Sequence, residues 1–430
     1  MMDYPNSLPI KIIRGQKDDL KVPQSGGSTP KVFGDVTNAV RKSLTDQLVR
    51  IEGFYSDTFE RTPGLPAVAR VKLKPEALAK SHRPTALLNE NTCPIIGGNS
   101  AGELYMSVNQ ASLGRLKNRI QSQSQKVTAN VSTIDQILPF TPEMALSDEE
   151  YEHLRKQTSG NTIDSLKYRL FNHGIRDIDS RVYREFLRLA RELNIEDLQQ
   201  IHYTDQLTIL RLRNVPIDAL PSLASFVGTQ SVSVFPQYFA LTTTCRVVGS
   251  LTSQHLPPPS PAKSYGIVGV IDTGTDPNNQ MLQAWVHARD ERVPVDFQDN
   301  SHGSFVAGLI AGGKNLNHGD PRLPSSQCKI LDVVALGRDG TTEDDLLLIL
   351  TDVVRRYREV RVWNLSLGSS GTRCQDQQFS DFGAALDEMS QKYDVQFVVA
   401  AGNYTNAPLR SWPGCNSYLW HAGINYVCIG

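Results

Sequence analysis

The feature that most constrains this 430-residue chain is a series of apolar runs in its last third. Residues 266–271, 303–311, 329–335, 343–356, 360–366, 379–392 and 395–400 follow one another, strand-like runs alternating with helical ones. A sheet with one wet face alternates apolar and polar residues, because successive strand side chains point to opposite faces. The strand-like runs here are apolar at neighbouring positions, so both faces must be covered. Covered strands joined by helices predict an α/β fold with a doubly wound, mainly parallel sheet. Such a sheet carries its chemistry at the carboxyl ends of its strands.

The preceding part reads differently. Residues 1–65 predict an extended arm with one helix, in which Val40, Leu44, Leu48 and Ile51 recur at helical spacing. Residues 66–141 predict a small α+β module. Ala69, Val71 and Leu73 alternate with Arg70, Lys72 and Lys74 as a strand, and Pro75 opens a helix. A strand at 103–108, a helix at 110–123 and a strand at 133–140 follow. Residues 163–240 repeat the order, with strands at 165–171, 206–213 and 231–235 and helices at 179–193 and 217–226. This points to two copies of a small α/β sandwich, although any α+β chain can alternate in this way by chance, and the pattern leaves both readings open. Residues 241–264 form a Pro-rich linker, stiff across Pro257-Pro258-Pro259-Ser260-Pro261, before the region 265–430.

Composition excludes several classes. Lys plus Arg at 44 against Asp plus Glu at 45 gives a net charge of −1, so no overall field favours nucleic acid or an anionic membrane. No leader-like basic-then-apolar start and no apolar run of membrane-spanning length occurs, and the six cysteines lie far apart without a CxxC pair. These set the expectation of a soluble, cytoplasmic protein with reduced thiols, no metal and no cofactor. His255, His287, His318 and His421 form no ligand pair. Gly308 to Lys314 approaches a phosphate-binding loop, but Asn315 stands where Ser or Thr would hold magnesium.

Three segments fall at or just beyond the predicted strand ends. They are Val270-Ile271-Asp272-Thr273-Gly274, Ser301-His302-Gly303-Ser304, and Val399-Ala400-Ala401-Gly402-Asn403. The single Asp272-Thr273-Gly274 amid helices does not suit an aspartic protease, which needs two such carboxylates in a β-rich fold. Asp, His and Asn in this order and setting resemble the subtilisin-like serine proteases, the subtilases. The likeness covers Tyr265 to about Pro413 and includes Val362 to Gly368 and Lys329 to Ala335.

The resemblance implies roles. Asp272 fixes the tautomer of His302, and His302 serves as general base and then general acid. Asn403 donates to the oxyanion. Ser366, Leu367, Gly368, Ala400, Ala401 and Gly402 supply main chain to an extended polypeptide substrate. The family's nucleophile sits in Gly-Thr-Ser-x-Ala, and no such segment occurs between Asn403 and Gly430. Residues 411–430, without Asp, Glu, Lys or Arg, do not read as the strand and loop due there. The expectation is therefore a partial catalytic domain, truncated before its serine and inactive alone. The rival reading is a non-catalytic peptide-binding or regulatory protein on the same fold. The family also suggests that residues 163–240 are a propeptide-like cover, the bland alternative being a module that binds a protein partner.

Overall fold

The computed structural model describes residues 30–240, 256–325, 327–369, 380–400 and 426–429. The C-terminal region is built on a six-stranded sheet in the spatial order Val286–Glu291, Lys329–Val334, Ile267–Asp272, Val362–Leu365, Gln396–Ala400 and Tyr426–Ile429. Every neighbouring pair is parallel. The doubly apolar runs have the expected cause. Val270 and Ile330 face a core with Val306, Ala307 and Ala311 of the helix Ser301–Leu316. Their neighbours Ile271 and Leu331 face the opposite core, with Leu346, Leu350 and Val353 of the helix Glu343–Arg356 and Phe382 and Leu386 of the helix Asp381–Tyr393. Each such side chain removed from water is worth about 1.5–3 kcal/mol, which makes a helix on each face the stable solution.

Several expectations need correction. Tyr426–Ile429 is a strand, in register with Gln396–Ala400 from Phe397↔Tyr426 to Ala400↔Ile429. Four apolar or β-branched residues suffice for that pairing, and the uncharged surroundings hid them. The helix expected from Pro75 is replaced by two short 3₁₀ turns, Pro75–Ala77 and Lys80–His82; Pro84 follows at once and disfavours helical backbone before it. The helix Asn38–Phe54 is no arm. Its Leu44, Leu48 and Ile51 enter one core with Ala69, Val71 and Met106 of the next sheet and Leu113 of the helix Gln110–Ile120.

Both N-terminal sheets are antiparallel, the first of four strands and the second of four with a fifth, the two-residue Thr158–Ser159, paired to Thr162–Leu170. The first runs Ile95–Ser100, Glu103–Val108, Ala67–Leu73, Ile134–Pro139. The second places Leu198–Thr204, Leu207–Pro216, Thr162–Leu170 and Thr229–Ser233 side by side. In each, the spatial order is second, third, first, fourth. Each also holds a strand the sequence pattern missed. Ile95–Ser100 carries two glycines, and Leu198–Thr204 is an edge strand with exposed glutamines, so neither alternates cleanly. Leu256 of the linker packs with Trp285, whose Nε1 donates to Pro257 O at 3.0 Å.

Candidate active site

Asp272 ends its strand fully buried. Its backbone oxygen accepts from the amides of Ala335 and Leu336 at 2.8 and 3.1 Å, which pins the strand end to its neighbour. The chain then turns through Gly274 at φ +90°, a conformation that favours glycine. His302 stands in the first turn of the helix Ser301–Leu316. That helix approaches closely because a Cβ on Gly303 would lie 2.2 Å from Gly274 O, so only glycine fits. The Gly303 amide also donates to Thr273 Oγ1 at 3.1 Å. The outcome is a His302 Nδ1 within 2.8 and 3.0 Å of the two Asp272 carboxylate oxygens. The Asp272 hydrogen bond raises the His302 pKa above its ordinary 6.5, against the opposing pull of burial. Phe305, in the same helix, is 48% exposed.

Behind Asp272 lies a group that the sequence reading passed over. Asp332, buried in mid-strand, accepts from Arg289 Nη1 at 2.6 Å and from Thr275 Oγ1 at 2.6 Å. Arg289 also donates to Thr275 O at 2.7 Å. The loop after the aspartate is thus tied to two neighbouring strands. The signal was present: an acid inside Lys329-Ile330-Leu331-Asp332-Val333-Val334 is costly to bury unless paired.

Of the proposed substrate-binding residues, Leu367 and Gly368 lie on the strand Leu367–Ser369, Ser366 just precedes it, and Ala400 ends Gln396–Ala400. Ala401, Gly402 and Asn403 lie outside the described residues. The edge of Leu367–Ser369 is paired by the chain itself. Gln237–Ala240 forms the middle strand between Thr341–Thr342 and Leu367–Ser369, antiparallel to both, with Tyr238↔Ser369, Phe239↔Gly368 and Ala240↔Leu367 opposed.

The module that leads into this strand is held by charge. One face of its sheet presents Lys167, Arg169 and Arg211 to the starts of two helices. Lys167 Nζ lies 2.7 Å from Glu343 Oε1 and 2.8 Å from Asp381 Oδ2. Arg169 meets Asp381 at 2.6 Å, while Arg211 pairs with Asp344 and, at 2.8 Å, with Asp345. Acids in a helix's first turn already suit its dipole. Here the cations of residues 163–240 make their burial tolerable.

Among the described residues no group of three or more His, Cys, Asp or Glu could hold a metal ion, and no helix is long and apolar enough to cross a membrane. The deciding comparison is with known families. Residues 264–427 match the subtilase family. The match runs through residues 414–427, beyond the limit at Pro413 that the motifs suggested. Two solved structures are similar to the chain. One is the epidermin leader peptide processing serine protease of Staphylococcus aureus, at 15% identity and a TM-score of 0.33 over 56% of this chain and 60% of that one. The other is the MycP3 protease of the type VII (ESX-3) secretion system, at 23% identity and a TM-score of 0.25 over 38% of this chain and 52% of that one.

Proposed function

We propose that the subtilase segment supplies the Asp and His of an Asp-His-Ser endopeptidase site. Asp272 holds the His302 imidazole in one tautomer and stabilises its protonated form, so that His302 can take a proton from a serine hydroxyl and return it to the leaving amine. Asn403 is assigned the oxyanion donor by its place after the strand Gln396–Ala400. The serine is not among the residues between Asn403 and Gly430, where no Gly-Thr-Ser-x-Ala segment occurs. The single observation that carries this reading is the 2.8 Å contact of His302 Nδ1 with a fully buried carboxylate at a strand's carboxyl end.

Residues 163–240 act in this reading as a propeptide-like cover that lays Gln237–Ala240 along the substrate groove. The support is the antiparallel pairing with Leu367–Ser369, the mode in which an extended peptide adds to a sheet edge. That occupancy also favours the second reading, a non-catalytic protein that grips peptides through the same groove.

A fluorophosphonate serine-hydrolase probe separates the two. Loss of a complete triad costs about 10⁶ in rate, so the 430-residue chain should remain unlabelled. A chain extended through a downstream Gly-Thr-Ser-x-Ala segment should label at that serine, and the labelling should require His302. Stoichiometric, His302-dependent labelling of the 430-residue chain would overturn the assignment of the nucleophile.

A further inference from the structure

The strand in the groove makes a polar contact that backbone pairing does not require. Ladder hydrogen bonds accept any side chain, and selectivity comes from the pockets that receive alternate side chains. Tyr238 fills such a pocket. It is 2% exposed, its ring lies 5.0 Å from that of Phe382, and its hydroxyl donates to Glu343 Oε2 at 3.2 Å. Ser369 bonds the same phenol.

Glu343 is 3% exposed, and its two oxygens are divided between two clients. Oε1 is taken by Lys167 Nζ at 2.7 Å and Tyr203 OH at 3.0 Å, both from residues 163–240. Oε2 accepts from Tyr238, on the strand that lies between Thr341–Thr342 and Leu367–Ser369. The Glu343 amide donates to Pro236 O at 2.8 Å, so the residue two places before Tyr238 touches the same helix start. A phenylalanine at the Tyr238 position would fill the same apolar space. It would leave an oxygen of the 3% exposed Glu343 carboxylate without its phenol donor, and a site built for a hydroxyl rejects the analogue that lacks one.

We propose that Glu343 is a specificity determinant, and that the groove between Thr341–Thr342 and Leu367–Ser369 selects extended peptides carrying tyrosine at the position of Tyr238. The inference rests on the reading of this groove as a peptide site and adds to it a side-chain preference that the backbone register alone does not contain.

The first test is in cis, on the full chain. Hydrogen exchange across Gln237–Ala240 reports how often the strand leaves the groove. Tyr238→Phe keeps the ring, and hydrogen bonds to charged groups exceed neutral ones, so exchange there should quicken about tenfold or more. In a Glu343→Gln background the same replacement meets a neutral acceptor, and the difference should shrink to about threefold. The ratio is read within each background, so a general weakening by Glu343→Gln cancels. Equal exchange of the Tyr and Phe chains would overturn the proposal.

The second test is in trans. Tyr238→Gly loosens the resident strand, and fluorescein-labelled Gln-Tyr-Phe-Ala and Gln-Phe-Phe-Ala are then titrated against the chain. About tenfold tighter binding of the tyrosine peptide supports selection by Glu343. Equal binding sinks the selection while leaving the groove as a peptide site. Binding of neither peptide, to a chain whose resident strand is shown by exchange to be open, would sink the groove reading itself.

Discussion

Replacing Lys167 by Ala removes one ammonium from between two carboxylates, Glu343 buried and Asp381 partly so. Lys167 is 10% exposed at its side chain and lies 2.7 Å from Glu343 and 2.8 Å from Asp381. Burial pulls its pKa down, but Asp381 and Glu343 outweigh burial and hold it above the ordinary lysine value. Breaking a buried pair by deleting one partner costs about 3–5 kcal/mol, because the other charge stays buried and unpaired. Asp381 keeps Arg169, and Glu343 keeps the hydroxyls of Tyr203 and Tyr238, so the cost belongs near the lower end. About 3 kcal/mol is roughly a hundredfold in an equilibrium constant.

The loss should fall on the contact between the module and the groove, not on the whole chain. Native-state hydrogen exchange at the Glu343 amide, whose partner is Pro236 O, should accelerate by about a hundredfold. Amides of Ala69 and Met106, inside the first sheet, should not change. Arg188→Ala is the matched control: its side chain is 63% exposed beside Glu192, where solvent screening leaves such a pair little to contribute. Lys167→Met retains much of the stem without the charge and should behave like Lys167→Ala. Acceleration below about threefold, or rescue by Met, would refute the electrostatic reasoning. The Asp381 partner sets the acid limit. Burial raises its pKa, but Lys167 and Arg169 bring it below 3.8, so its contribution is present above that value and is lost as pH falls through the folded-state pKa.

Two histidines give further tests. His302 has a raised pKa, so its contribution to stability is full below 6.5 and disappears as pH rises through the folded-state value; Asp272→Asn should lower its NMR titration midpoint, and an unmoved midpoint would break the pairing. His173 is buried, with Nδ1 2.9 Å from Ser107 Oγ, and burial pushes its pKa down to about 4. Folding therefore loses up to roughly 3 kcal/mol as pH falls from 6.5 towards 4, and the acid-induced drop in urea midpoint should be smaller in His173→Gln than in the unaltered chain.

The inner strands of the parallel sheet were legible because burial on both faces leaves each a largely apolar signature, which the charged edge strand Val286–Glu291 lacks; Asp272 and His302 were legible because each sits where such a strand ends or the next helix starts. The Arg289–Asp332 pair was not legible as a pair. An acid in a core strand announces that a cation must be near, but the cation comes from a different strand, and only the register Arg289↔Asp332 brings it there. The strand Gln237–Ala240 was lost for a similar reason. Its partners, Thr341–Thr342 and Leu367–Ser369, are distant in sequence, and a short segment shows no periodicity of its own until something pairs with it.

The cationic face of residues 163–240 shows how a correct pattern can carry the wrong environment. Leu166 and Tyr168 on one strand, and Leu210 and Leu212 on its neighbour, alternate with Lys167, Arg169 and Arg211, which is the signature of a sheet with one wet face. The apolar set does pack against Phe186 of the helix Arg176–Glu192. The other set is mostly closed off from bulk water, with Lys167 and Arg211 buried and Arg169 keeping 29% of its side chain exposed, and Ile201, Tyr203 and Ile209 on that face join the same core as Leu346 and Phe382 of the subtilase segment. Charged residues can line a buried face only where opposite charges await them, and Glu343, Asp344 and Asp381 are those charges. The cations on one segment and the acids at two helix starts in another are therefore halves of one requirement. Neither set is explained by its own element alone, and a replacement that neutralises either should be felt by both.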